Sequence, residues 1–563
     1  MFQRQRIGHS TGYLTDESKM TGHADNVLLP YSEQELREIL RVYNSKGTPV
    51  TVAAMRTGVS GGSVPKGGDV LSLEHMKGVL GVGKDERGYF LRVLPCTTLR
   101  EIDETLARRS FSSLEDVTEG ACESLANEPE AYFYPVDPTE MEGSIGGNIA
   151  TNASGPRTYR YGPTRDWIRR IKVVMADGAL AEVVRGEQKA EGRRMGFAAG
   201  RNYYSFDLPG YDFNSSVKNA AGPRISEDMD LLDLFIGSEG IFGVVSEADI
   251  YLAPRHPLVS NVLFFPDDGS ALAAVKEIRS DSRIDPEFLE FMDARSIELV
   301  RSRKKADPLS IRIPDLPDEA GSALFFDLPD DGSLDARYAA LEEVAKRHGS
   351  SLEASWCGHE DSDRERMREL RHSIPETIFE YVASLKGEMP KIHKLGSDMS
   401  VPDEAADEMM AFYRMKLEEA GLEYCMFGHI GDNHPHVEIV LKSMDEFERA
   451  KAIYEEFAAK AVELGGSPSA EHGIGKIKTR YMELLYGRKG VEELRKVKSV
   501  LDPNWILCPG NLVGRSNEIS DSDKAGAGHL RGIRGRERVA GEGRGALDTG
   551  PVLRACPDEG AFD

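Results

Sequence analysis

Apolar residues recur at helical spacing in some stretches and in strand-like runs in others. Over 32–47, SEQELREILRVYNSKG sets Leu36, Ile39, Leu40 and Val42 among charged residues. It opens on Ser32 with an acidic residue close behind and stops at Gly47, which predicts an amphipathic helix. TPVTVAAM follows as a strand that runs into a glycine-rich loop, and DVLSLEHM and YFLRVLPC read as two further strands. TTLREIDETLARR predicts a second helix behind a Thr cap. The first part of the chain is therefore α+β.

From 131 to 165 the pattern dissolves into Gly, Pro, Asn and Thr, and a loop-rich run of that length inside a compact domain tends to be functional. IRRIKVVMADG restores a strand with an Asp-Gly turn, and LFIGSEGIFGVVSEADIYLAP is a glycine-broken apolar stretch ending in a strand. The prolines at 254 and 257 mark a domain boundary. Beyond it VSNVLFFP and SALFFDLP read as strands, with SLDARYAALEEVAKRHG and SMDEFERAKAIYEEFAAKAVELGG as charged helices, so 257–465 is expected to be a sheet covered by helices. A helix-rich segment, 466–514, follows. Residues 515–563 are rich in Gly and Arg and read as a disordered tail.

The chain's 563 residues exceed one hydrophobic core and imply two or three packed units. A net charge of -24 argues against nucleic acid as a partner, because phosphate binding needs a basic face. The first residues show no secretory apolar core, and no apolar run approaches the roughly 18 residues of a spanning helix, so at most peripheral membrane contact is expected. Six scattered cysteines without a CxxC pair argue against a cysteine-held cluster and fit a reduced, cytoplasmic setting.

Candidate chemistry lies in the glycine loops and in one histidine-rich turn. RTGVSGGSVPKGG (56–68) follows a strand; Gly58, Gly61 and Gly62 let backbone N–H groups approach an anion, with Ser60 and Ser63 as added donors. The run is neither GxGxxG nor GxxxxGK[ST], and alone it is equally an ordinary tight turn. DPTEMEGSIGGNIATNASGPRTYRYGPTRD (137–166) and GSEGIFGVV (237–245) add two more such loops in the same part of the chain.

In order and spacing these three loops resemble the flavin domain of the vanillyl-alcohol oxidase/PCMH type, in its D-lactate dehydrogenase, glycolate oxidase large subunit and D-2-hydroxyglutarate dehydrogenase branch. YLTDESKMTGHADNVLLPYSEQEL resembles that branch as well, so the likeness covers roughly 10–514. It implies a PCMH-type FAD-binding domain of two α/β subdomains over 1–256. A ferredoxin-like antiparallel-sheet cap follows over 257–465, then a small helical segment, 466–514, that returns to the flavin domain. It implies FAD contacts at Arg56, Thr57, Gly58, Val59, Ser60, Gly61, Gly62 and Ser63 around the pyrophosphate. Pro135, Asp137, Ile145, Gly146, Gly147, Thr151, Gly155 and Gly162 would also contact the cofactor, with Val244 near the adenine. The loop lacks a histidine for covalent attachment, so the FAD is expected to be non-covalent.

FGHIGDNHPHVEIV (427–440) reads as a hairpin, with YCMFGH and HVEIV as strands and IGDNHP as the turn. Two imidazoles and a carboxylate on neighbouring strands suit a divalent metal such as Zn, Mn, Fe or Co, although histidines flanking a turn are more often surface or packed residues. The family resemblance implies His429, His436 and Glu471 as metal ligands and His472, in SAEHGIG, as the catalytic base. His434 stands where relatives commonly have Asn and is left outside the ligand set. Arg371 is the expected holder of the substrate carboxylate, with Lys391, His393 and Lys394 as weaker candidates. DPNWILCPGN carries Cys508 and Asn511 where relatives often have Asn and Lys.

The activity so implied is oxidation of a small-molecule D-2-hydroxy acid to the 2-oxo acid, hydride passing to flavin N5. Electrons would leave to an external quinone or electron-transfer protein, and a homodimer is compatible. The competing readings are a flavin-binding subunit of a larger redox complex and a flavoenzyme of the alkylglycerone-phosphate synthase kind.

Overall fold

Ser32 accepts the Glu35 N–H and Gly47 takes φ 61°, so the first helix, Glu33–Lys46, begins and ends where its capping chemistry dictates. A computed structural model describes residues 3–8, 11–307, 312–390 and 392–515. The helix buries Leu36, Ile39, Leu40 and Tyr43 against Leu28, Val50 and Leu71. Each such side chain contributes about 1.5–3 kcal/mol, more than helix propensity supplies. The sheet beneath has the order Gln3–Arg6, Asn26–Leu29, Asp69–Ser72, Val50–Ala53. Leu507 makes a parallel bridge with Val50, and Ile506 and Leu507 join this same core.

A six-stranded sheet follows, in the order Leu180–Val184, Ile168–Val174, Val244–Tyr251, Gly88–Val93, Val79–Asp85, Glu115–Asp116. Between its strands the run 137–166 is not all loop: Ile145–Thr151 is a short helix. Ser144 caps it by accepting the Gly147 N–H, and burial of Ile145 and Ile149 offsets the roughly 1 kcal/mol that each helical glycine costs.

From Leu258 the chain builds a seven-stranded, wholly antiparallel sheet. Its order is Trp356–Gly358, Leu258–Phe265, Ser322–Pro329, Glu290–Met292, Glu423–His429, His434–Val440, Leu395–Gly396. Helices Asp268–Ser280, Ala294–Ala306, Leu334–Arg347 and Asp361–Leu385 pack on it. The last of these contains Pro375, which has no N–H to give the carbonyl of Arg371 four residues earlier. The stretch expected to be helix-rich after 466 stays irregular until Arg480, where two helices begin that meet at a kink at Gly487 and run to Leu501.

Among the described residues no helix is long and apolar enough to cross a membrane, and Cys96, Cys122, Cys357, Cys425 and Cys508 are free thiols. Apart from Arg515, the expected tail over 515–563 lies outside the described residues, as does Lys391.

Candidate active site and metal centre

The hairpin strands Glu423–His429 and His434–Val440 pair antiparallel around the turn Ile430–Asp432, with Asn433 at φ 49°. The second strand starts at His434 and not at His436, a correction to the reading of HP as turn residues. The register sets His429 opposite His434 and Phe427 opposite His436. Side chains alternate along a strand, so His434 and His436 share a face, and His429 meets them from the neighbouring strand. The ring centroids lie 4.7 to 5.4 Å apart.

Glu471 enters from the irregular stretch before Arg480. Its Oε2 is 3.4 Å from His429 Nε2 and 3.9 Å from His434 Nδ1, and its Oε1 is 3.4 Å from His436 Nε2. Lys218 donates to Glu471 Oε2 at 2.8 Å and to the Gly155 carbonyl at 3.1 Å. Burial alone would raise the Glu471 pKa, but Lys218, His429 and His434 hold it well below the usual carboxylate range.

Each imidazole has an acceptor behind it. His429 Nδ1 meets Glu290, His436 Nδ1 lies 3.2 Å from the Ser397 carbonyl, and His434 Nε2 lies 3.2 Å from Asp398. On the other side of the ring, His434 Nδ1 has no hydrogen-bond partner among the described residues. Burial pushes the His434 pKa down to about 3, so the ring is neutral. His434, set aside in the sequence, is thus fully buried within the cluster. The ligand atoms of His429, His434, His436 and Glu471 all lie within 4.8 Å of one another, a donor set that can hold a divalent ion.

His472 lies beside this cluster, its ring parallel to that of His436 at 6.0 Å. Asp398 faces it at 3.4 Å through Nδ1 and also accepts the backbone N–H groups of Glu471 and His472 and the Lys478 ammonium. Burial acts to lower the His472 pKa, but Asp398 and Glu471 lift it to about 9.

Arg371 donates through Nε to Glu290 at 2.8 Å, the same carboxylate that meets His429. Burial opposes ionisation of Glu290, but Arg371 and His429 pull its pKa far down. Arg371 and Glu290 line a cavity of about 490 Å³ whose walls also carry Asp137, Arg157, Arg364 and Arg368. Of the weaker candidates, Lys394 is bound to Glu438 at 2.7 Å and His393 packs against Phe447.

The first glycine loop is clamped by the same C-terminal stretch. Ser60 O accepts Lys476 N–H at 3.0 Å, and Lys476 Nζ reaches the Gly62 carbonyl at 3.0 Å and Asn511 at 2.5 Å. Asn511 also donates to Gly62 O and Glu239 O, while the Glu239 carboxylate accepts the N–H groups of Ile474 and Gly475 at 2.7 Å. Glu239 N–H in turn reaches the Ala150 carbonyl at the end of the short helix. The three glycine loops therefore meet. Arg56 leans on Tyr13 and Glu74, Thr57 and Ser63 remain in the loop beside it, and Val59 is exposed.

Among the described residues a Cβ at Gly58 would meet nothing within 4 Å, and the buried Asn148 Nδ2 and Ser154 Oγ have no partner. These are open space and free polar groups of the kind a flavin nucleotide fills. Gly155 has a packing reason of its own, since a Cβ there would lie 1.7 Å from the Asp137 carbonyl; Gly146 likewise packs on Pro95, and at Gly162, with φ 78°, the Asp166 carboxylate takes the Cβ space. Pro135, Ile145 and Val244 are buried, Gly147 N–H caps onto Ser144, and Thr151 hydroxyl bonds to the Gly147 carbonyl.

Sequence reasoning missed Glu290, Lys218 and Asp398. Each is a lone charged residue in an unremarked stretch, and only the fold brings them to the histidines.

Residues 24–120 and 124–183 match the FAD binding domain family, and 256–512 match the family described as FAD linked oxidases, C-terminal domain. The chain is 26% identical over 504 residues to glycolate oxidase subunit GlcD of Bacillus subtilis, covering 87% of this chain and 89% of that protein. It is 28% identical over 500 residues to a D-2-hydroxyglutarate dehydrogenase of Xanthomonas citri, covering 86% and 88%. It is 28% identical over 497 residues to a D-lactate dehydrogenase of Archaeoglobus fulgidus, covering 86% and 91%. Among solved structures, p-cresol methylhydroxylase superposes with a TM-score of 0.61 at 14% identity, over 92% of this chain and 94% of that one. An alkyldihydroxyacetonephosphate synthase gives a TM-score of 0.58 at 14% identity, over 90% and 82%. The two family models together span most of the chain, which belongs to the FAD-linked oxidoreductases and has the PCMH-type fold.

Proposed function

We propose that this chain oxidises a D-2-hydroxy acid to its 2-oxo acid, with non-covalent FAD and a divalent ion as resident groups. The observation that carries the reading is the meeting of His429, His436 and Glu471 beside His472, with Arg371 joined to the same cluster through Glu290. Bound FAD supplies the two-electron acceptor for the hydrogen leaving C2. A divalent ion supplies Lewis acidity toward an alcohol oxygen.

The chain's own residues do the rest. Arg371 spends Nε on Glu290, which leaves its two terminal nitrogens to hold the substrate carboxylate as a fork. His472, in its neutral form, takes the hydroxyl proton; Asp398 holds its ring from the Nδ1 side, and its Nε2 lies 3.3 Å from Glu471 Oε1. The cavity walls carry Arg157, Arg364 and Arg368 but also Asp137, Glu287 and Asp327, so the preference for an acid rests on Arg371. In this reading residues 1–256 bind the cofactor and 257–465 the substrate, and electrons leave to an external quinone or electron-transfer protein.

The test is an anaerobic panel of 2-hydroxy acids with flavin bleaching as readout, with and without chelator, on the wild type and His472→Ala. Bleaching by a D-2-hydroxy acid that His472→Ala abolishes while keeping its flavin is expected. Full reduction in that variant would remove the proposed base. The name of one relative, a glycolate oxidase subunit, favours a second reading in which the chain works only within a larger complex. Turnover of an artificial dye by the purified chain separates the two.

A further inference from the structure

We infer that His434 is a fourth protein ligand of the divalent ion, so that the centre is built from three imidazoles and one carboxylate. The inference rests on the metal site proposed above and changes its composition. His434 is fully buried; its Nε2 faces Asp398 at 3.2 Å, and among the described residues its Nδ1 has no hydrogen-bond partner. A buried ring nitrogen without a partner is costly unless something outside the protein occupies it.

The orientation identifies which nitrogen. Nδ1 points to Glu471 Oε2 at 3.9 Å, and Nε2 points away, to Asp398 at 3.2 Å. His429 and His436 are disposed in the same way, with one nitrogen 3.4 Å from a Glu471 oxygen and the other toward Glu290 or the Ser397 carbonyl. Histidines that bind metals keep an acceptor on the far nitrogen, and here all three do. The spacings also suit one ion. Bonds of about 2.0–2.1 Å place neighbouring tetrahedral ligand atoms about 3.3–3.4 Å apart, and wider coordination shells stretch some of those separations.

Four protein donors have a chemical consequence. They saturate a four-coordinate ion and leave it no position for a substrate oxygen. On an ion that takes five or six ligands, such as Mn, Fe or Co, one or two positions stay open. The centre is therefore expected to hold zinc firmly but to work with a metal of higher coordination number.

The chain is stripped with chelator, reloaded with one equivalent of Co(II), and examined by X-ray absorption at the cobalt edge, which counts imidazoles from their multiple scattering. Three imidazoles in the wild type and two in His434→Asn are expected, with Co(II) affinity reduced at least tenfold in the variant. Cobalt held by two imidazoles in the wild type overturns the inference and leaves the parent site standing. So does an unchanged spectrum and affinity in a folded His434→Asn. Wild-type protein that binds no cobalt removes the parent site as well. The wild-type imidazole count decides the matter even if the variant fails to fold.

Discussion

Glu290 does two things at once. One carboxylate oxygen meets His429 Nδ1 and the other accepts Arg371 Nε, so a single buried group orients both a candidate metal ligand and the candidate carboxylate holder. Glu290→Gln keeps the shape but loses the charge; metal affinity is expected to fall about 10–100-fold, read by competition with a chromophoric chelator. Arg371→Lys replaces a fork with a point charge. It is expected to raise KM for the acid at least tenfold, a loss of about 1.4 kcal/mol, while an alcohol lacking the carboxylate is unaffected. At this scale the sequence was legible where residues cluster locally. His429, His434 and His436 stand within one hairpin and Glu471 next to His472. Glu290, Asp398 and Lys218 come from three distant stretches, and no local spacing announces them.

The elements around the site were easier to foresee than its charges. Both hairpin strands and the helix Glu33–Lys46 follow from apolar runs and caps. The helix Asp361–Leu385, which carries Arg371, was not foreseen, because Pro375 and a dense run of charges hide its periodicity. A neighbouring helix, Ala294–Ala306, offers a pH test. Its cap Asp293 accepts the Ser296 N–H at 2.8 Å, and its own N–H reaches the Met426 carbonyl on the histidine-bearing strand at 2.9 Å. Burial raises the Asp293 pKa to about 6. The folded state therefore binds this proton more tightly than the unfolded chain does. That contribution is complete below about pH 4 and is lost as pH rises through about 6, amounting to about 3 kcal/mol. Asp293→Asn keeps the cap. Its urea midpoint is expected to gain on the wild type between pH 4 and 7, and parallel curves would show that Asp293 does not titrate in this way.

Across the whole molecule, the last described stretch ties the cofactor half to the candidate metal centre. Glu239 and Lys476 bind the backbone between His472 and the first glycine loop, and Asn511 closes the same knot. Lys476→Met, which removes a buried cation from two carbonyls and an amide, is expected to weaken FAD binding at least tenfold, measured by fluorescence recovery on flavin release. Unchanged FAD affinity would confine Lys476 to packing. Relatives' sequence order implied that the chain end returns to the flavin domain. That it does so through Lys476 and Asn511 could not be read, since neither residue has a sequence neighbour that reports its partner.

Val50 gives its N–H to Ile506 and accepts that of Cys508, at 2.7 and 2.8 Å, so the first sheet gains its final edge from residues far later in the chain. The amino-terminal half is thus left with an uncovered border until residue 508 has left the ribosome. Flavin capture is expected to wait for that segment, so a nascent chain halted before 506 should emerge colourless.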